Sequence, residues 1–328
     1  MSCSVAIIGA GQISFAAAQV FGEAGWQVRV FARSHPAWLE EVSCEWVRWE
    51  RGSSAPPVAD IVLDTIAFDA ADLEEYRLSA VGRLIVVSSA SVYCDAAGRT
   101  LDEAAQNGFP EFGGAITEEQ MTVPTSAETY STRKMRMEQA AGERFGNRAI
   151  ILRPCAIHGP WSRHPREWWF AKRLLDGREV IPLALGGQSR FQTTSTATIA
   201  AFALHAAEHE LGGVFDLADG DAPTVRQIGE AVATALHCEA EFIPLPGRPK
   251  DQVGRTPWSV PEPFLTSAAK AAATGFAWPL PYKVAVVPAL NWLWENAPLD
   301  WQSVFPQLAA YPWNLFDYAA EDALLETL

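Results

Sequence analysis

Along the first half of the chain, short apolar runs closed by glycine or small polar residues alternate with longer stretches whose apolar positions recur at helical spacing. Val5 to Ile8 predicts a strand, Gly9 to Gly11 a tight turn, Phe15 to Gly22 a helix and Val28 to Phe31 a second strand, which together make one βαβ unit. Ala59 to Ile66 and Leu84 to Val87 supply further strands. Leu84-Ile85-Val86-Val87 is apolar at every position, as a strand buried on both faces of a parallel sheet must be. The alternation therefore implies an α/β protein built on a doubly wound parallel sheet, with ligands at the carboxyl ends of its strands.

Cys94 to Thr129 is polar and rich in Gly and Pro, too long for a simple connection, and reads as a functional flap. Thr125 and Glu128 have the spacing of a capping box, which starts a helix just before Tyr130. Past Pro160 the pattern loosens: Glu167 to Leu175 and Thr193 to Glu208 read as helical, and Ala231 to Leu236 lies within a third helix. Leu299 to Leu328 is a tail rich in aromatics and carboxylates, expected to pack over an apolar surface or to form an interface.

The chemistry concentrates at two places. Ser88-Ser89 ends the strand Leu84 to Val87, and Tyr130 and Lys134, four residues apart, share one face of the following helix. A strand end and a helix face can thus bring a hydroxyl, a phenol and an ammonium to one carbonyl. With Gly9-Ala10-Gly11 near the start, Ile150 to Pro154 running into His158-Gly159-Pro160, and Val214 to Ala218 ahead of Thr224-Val225-Arg226, the chain resembles the extended short-chain dehydrogenase/reductases, the NAD-dependent epimerase/dehydratase family.

The resemblance implies a Rossmann-type sheet with a smaller C-terminal substrate lobe. The nucleotide domain is then 1–160 with a returning segment near 190–215, the lobe is 161–189 and 216–298, and the tail is 299–328. It also implies a catalytic set of Ser89, Tyr130 and Lys134. Cofactor contacts are implied at Gly9, Gly11, Gln12 and Ile13 in the first turn and at Arg33 and Ser34 after the second strand. Ser88, Tyr130, Lys134 and Pro154 complete the implied cofactor set, and no metal is expected.

Gly-x-Gly before a helix lets the backbone approach a pyrophosphate. Ser14 stands where the family has its last glycine, and the spacing is one residue shorter. After the second strand an acid would hold the ribose diol of NAD; Ala32-Arg33-Ser34 offers a guanidinium instead, which favours NADP(H) over NAD(H). Lowering a tyrosine from about 10 to near 7 takes about 4 kcal/mol. One ammonium at about 4 Å, at an effective dielectric near 20, supplies about that much. Ala90 and Ser91 stand where dehydratases carry Asp and Glu, which disfavours dehydration.

On the substrate side the candidates are Tyr93, Trp161 and Arg190; Trp168 and Trp169 offer further flat apolar walls, although packing is the commoner role for Tyr93 and for tryptophan. His158, Cys94 and Cys155 read as structural.

Composition narrows the rest. The chain has 328 residues, 49% of them hydrophobic and 20% charged, enough for a large core. A net charge of −14 argues against nucleic acid, whose binding draws on Lys and Arg. Five scattered cysteines without a Cys-x-x-Cys pair suggest neither disulfides nor zinc. No basic-then-apolar leader precedes the first strand, and no apolar run approaches the roughly 20 residues of a membrane span. The expectation is a soluble, cytoplasmic protein that acts on a small molecule and pairs as a homodimer. It would be an oxidoreductase interconverting a carbonyl and a secondary alcohol. A nucleotide-sugar epimerase with retained NAD and a non-enzymatic dinucleotide sensor remain as alternatives.

Overall fold

The computed structural model describes residues 3–52, 54–277, 280–296 and 298–327. Seven parallel strands form the main sheet: β1 (Ser4–Ile8), β2 (Gln27–Ala32), β3 (Glu45–Arg48), β4 (Ala59–Asp64), β5 (Val81–Val87), β6 (Ala149–Pro154) and an edge strand, Gly213–Leu217. Their spatial order is Gly213–Leu217, β6, β5, β4, β1, β2, β3, and every pairing is parallel. β1 lies between β4 and β2, so the winding reverses there and a crevice opens at the strand ends. The doubly wound α/β expectation is met, and a short strand, β3, is added that its mixed composition, Glu45-Trp46-Val47-Arg48, had hidden.

The apolar runs explain the layers. Ile8, Val62, Leu84, Val86 and Ile151 form one core with Met137, Ala141 and Phe145 of the helix Tyr130–Phe145. Burying each such large side chain is worth about 1.5–3 kcal/mol. Helix α1 (Gln12–Glu23) packs on the helix Thr196–Glu208, and its buried alanines Ala16, Ala17 and Ala18 permit close approach. Thr193–Ser195, read as helical from sequence, is a short strand that precedes that helix.

The chain divides into two compact units, the first comprising Met1–Ile157, Thr194–Ala218 and Thr266–Pro279, the second His158–Thr193, Asp219–Leu265 and Leu280–Leu328. In the second, strand Val180–Leu183 pairs in parallel with Glu241–Pro244, and helices Trp168–Leu175, Val225–Ala235 and Val287–Glu295 pack together. The tail packs onto this unit: Phe305 meets Trp168 edge-on at 5.7 Å, and Glu321 pairs with the buried Arg173. Among the described residues no helix is long and apolar enough to cross a membrane, and no group of three or more His, Cys, Asp or Glu side chains is placed to hold a metal ion.

Candidate active site

The turn after β1 is built for close approach. Gly9 has φ +109°, and a Cβ there would lie 2.6 Å from Thr65 Oγ1 and 2.7 Å from Ile66 Cγ2; only glycine fits. A Cβ on Gly11, by contrast, would meet nothing within 4 Å, and no side chain caps α1, so open space lies before its first amides. Gln12 Oε1 is buried there without a hydrogen-bond partner among the described residues.

Thr65 Oγ1 donates to the Ile8 carbonyl at 2.8 Å, which leaves the Ser14 hydroxyl to donate to Thr65 at 3.0 Å. Ser14 in place of glycine thus ties the turn to the end of β4. Trp38 Nε1 holds the Ala10 carbonyl at 2.9 Å from above the turn. The orphaned oxygen, the uncapped helix and the space at Gly11 fit a diphosphate.

At the end of β4, the fully buried Asp64 accepts from Tyr76 Oη at 2.6 Å, Arg51 Nη2 at 2.8 Å and the backbone amides of Ile66 and Ala67 at 3.0 and 2.8 Å. That hub fixes the Ala67 carbonyl. Lys134, buried in turn, donates to it at 2.7 Å and to the Val87 carbonyl at 2.9 Å. Burial pushes Lys134 down to about 8, against the nearby Asp64 and Glu138 carboxylates.

Tyr130 begins its helix as the spacing predicts, but the cap is Thr129, bonded to the Thr132 amide at 3.2 Å, rather than Thr125. A second brace comes from Asp102, which accepts the Ser131 amide at 2.8 Å. The Tyr130 ring keeps 46% of its surface open, lies 5.4 Å from the Phe68 ring and has Lys134 Nζ 5.8 Å from its centre. Surrounding protein pushes the phenol up to about 12 and Asp102 adds to this, while a hydrogen bond with Ser89 pulls the other way. The Lys134 ammonium is turned to the Ala67 and Val87 carbonyls, and burial rather than this charge sets the direction of the phenol's shift. Ser89, Tyr130 and Lys134 nonetheless converge.

Ser88 faces the interior and donates to Glu138, one turn beyond Lys134. Arg153 grips the same carboxylate through Nε at 3.0 Å and Nη2 at 2.5 Å, and donates from Nη1 to Tyr93 Oη at 2.9 Å. Tyr93 donates to Asp216 at 2.7 Å. Tyr93 is thus fully buried, so of the two roles open to it from sequence, lining a pocket or packing, burial supports packing. Burial pushes Asp216 up to about 7, and its Oδ2 has no hydrogen-bond partner among the described residues. None of this network beyond Ser88 was singled out from sequence as acting together.

The remaining candidates come from other segments of the chain. Arg33 and Ser34 are exposed just past β2, and Arg33 has no carboxylate partner among the described residues. Arg48, which closes β3 opposite Ala32, is likewise exposed and has no carboxylate partner among the described residues. Pro154 is buried beside Leu217. In the second unit, Trp161 adopts a left-handed backbone, φ 62°, with its ring 5.5 Å from Trp292. Trp168 and Trp169 are buried in the core, not flat walls of a site. Arg190 is exposed and donates to the Ala222 carbonyl at 2.9 Å.

No protein-family model matches the sequence, and no curated protein does. Solved structures do. A UDP-glucose 4-epimerase from Thermus thermophilus, solved with NAD, superposes with a TM-score of 0.64 at 19% identity, over 88% of this chain and 98% of that one. The Bordetella bronchiseptica enzyme WbmH, solved with NAD+, gives 0.67 at 16% identity, over 91% and 100%. A UDP-N-acetylglucosamine 4-epimerase from Methanobrevibacter ruminantium gives 0.65 at 15%, over 90% and 99%. The chain has the Rossmann-like fold of these solved structures, along nearly its whole length.

Proposed function

We propose that the protein is an NAD(P)(H)-dependent oxidoreductase that interconverts a carbonyl and a secondary alcohol on a small molecule. The observation that carries this reading is the convergence of Ser89, from the end of β5, with Tyr130 and Lys134, whose ammonium the Ala67 and Val87 carbonyls hold in place. Gly9, Gly11 and the amides of Gln12 and Ile13 would hold the diphosphate of the dinucleotide. When bound, the nicotinamide supplies or accepts the hydride.

Tyr130 gives its proton to the carbonyl oxygen in reduction and recovers it from the alcohol in oxidation. A phenol kept protonated up to about 12 suits the donating direction. Ser89, hydrogen-bonded beside it, orients the same substrate oxygen. Lys134 places positive charge 5.8 Å from the ring centre, which favours the phenolate left after donation.

The preference for NADP(H) rests on Arg33, an exposed cation without a carboxylate in an acidic protein. Titration with both reduced dinucleotides tests it. NADPH should bind about tenfold or more tighter, ~1.4 kcal/mol, and Arg33→Glu should reverse the order; tighter NADH binding by the natural protein overturns the preference.

A second reading, a sugar-nucleotide epimerase that keeps its NAD, draws on the fold of the neighbours and on the run Ser89-Ala90-Ser91-Val92-Tyr93. Nicotinamide released when freshly purified protein is denatured would favour that reading. Reversible exchange would favour the oxidoreductase. Unchanged turnover in Tyr130→Phe, on any identified substrate, overturns the role given to Tyr130; dinucleotide binding with no turnover would leave a dinucleotide-binding sensor.

A further inference from the structure

The second unit contains a cavity of ≈ 280 Å³ whose lining residues all belong to that unit, six of them from the tail between Pro312 and Glu321. Two arginines line it, and they differ in kind. Arg173 is saturated: it donates to both the Trp169 and Leu315 carbonyls at 2.8 Å and through Nε to Glu321 at 3.2 Å. Arg255 is not. Its guanidinium stacks on Trp313 at 3.7 Å and donates from Nη1 to Gln252 at 2.7 Å, and no other hydrogen bond or carboxylate engages its side chain among the described residues.

Other polar groups in the cavity are also left incomplete. Among the described residues, Trp313 Nε1 is a buried donor without an acceptor, and Glu321 Oε2 is a buried acceptor without a hydrogen bond, 3.7 Å from Arg178. Such groups are costly unless something meets them. The loop that carries Arg255 is strained as well: Asp251 and Gln252 take consecutive left-handed backbones, φ 49° and 66°. Non-glycine residues adopt that conformation only at a cost, and it persists where surrounding structure requires it, commonly at ligand clamps. Here the strained Gln252 holds the free edge of Arg255 in position.

These demands define a ligand. An oxyanion answers Arg255, whose fork matches a carboxylate, and a donor answers Glu321 Oε2. Asp251, Asp317 and Glu321 bring three carboxylates to the lining, and one of the two arginines is already neutralised. That balance disfavours dianions such as phosphate esters. We propose that this cavity binds a small hydroxy acid or amino acid, with its carboxylate on Arg255 and its hydroxyl or ammonium toward Glu321. The inference does not depend on the dinucleotide chemistry proposed above.

Isothermal titration of the full-length protein with L-lactate, L-serine and inorganic phosphate tests it. At least one of the two acids should bind saturably with Kd near or below roughly 1 mM, more tightly than phosphate, and the better of them identifies which donor is read. Arg255→Gln should weaken that binding about tenfold or more, Arg255→Lys likewise because it lacks the fork, and Trp313→Phe several-fold, while NADPH binding stays unchanged. Three results overturn the proposal: no saturable binding of either acid, tighter binding of phosphate, or undiminished binding in both Arg255 variants. If Arg255→Gln fails to fold, the charge-preserving Arg255→Lys still decides.

Discussion

Tyr130 combines an open ring with a phenol that its surroundings keep protonated up to about 12. Removing only its hydroxyl, in Tyr130→Phe, should lower turnover by about 10²–10⁴ while the dissociation constant for the dinucleotide stays within a factor of about two, a split that steady-state kinetics and a binding titration resolve. Asp216 is a second residue whose protonation matters. Its folded value, about 7, lies above that of the unfolded chain. It therefore adds stability that is fully present below the ordinary carboxylate range and is lost as pH rises through about 7. Asp216→Asn keeps an acceptor for Tyr93 and removes the charge. The variant should be more stable than the natural protein by about 2 kcal/mol above neutrality, with the advantage shrinking toward acid pH in urea titrations; parallel curves would refute this.

Two elements concentrate the constraints. In the turn between β1 and α1, the left-handed Gly9 faces Thr65 and Ile66 at distances no Cβ tolerates. Gly9→Ala should cost about 2 kcal/mol or more, read in a thermal melt, and weaken dinucleotide binding as the turn shifts. On the Tyr130–Phe145 helix, Tyr130, Lys134 and Glu138 follow one another at single-turn intervals, and Glu138 links the stripe to Ser88 and Arg153. Glu138→Gln leaves Arg153 buried without its counter-charge and should cost about 3 kcal/mol. Because Ser88 adjoins Ser89, kcat should fall as well, and a stable variant with full turnover would show the network to be structural only. The Tyr130-Lys134 spacing was readable because it is local to one helix. The true cap, Thr129, was not, because Thr125 and Glu128 offered an equally regular pattern, and side-chain geometry chose between them.

At the scale of the molecule, strand and helix periodicity in the first half of the chain determined the parallel doubly wound sheet, since each apolar run has one way to be buried on both faces. Sequence also located the glycine turn, the serine strand end and the Tyr-Lys helix, all defined within a few residues. It could not reveal that Trp38 holds Ala10, that Arg51 and Tyr76 meet at Asp64, or that Arg153, Tyr93 and Asp216 join Glu138 in one buried network. It leaned toward packing for Tyr93 and a core role for Trp168 and Trp169, but burial alone put them inside, because an aromatic side chain serves a core or a site with the same composition. Periodicity is a property of neighbours along the chain and was sufficient for the elements. Burial, charge compensation and the protonation of Tyr130, Lys134 and Asp216 depend on residues far apart in sequence, and only the folded arrangement decided them.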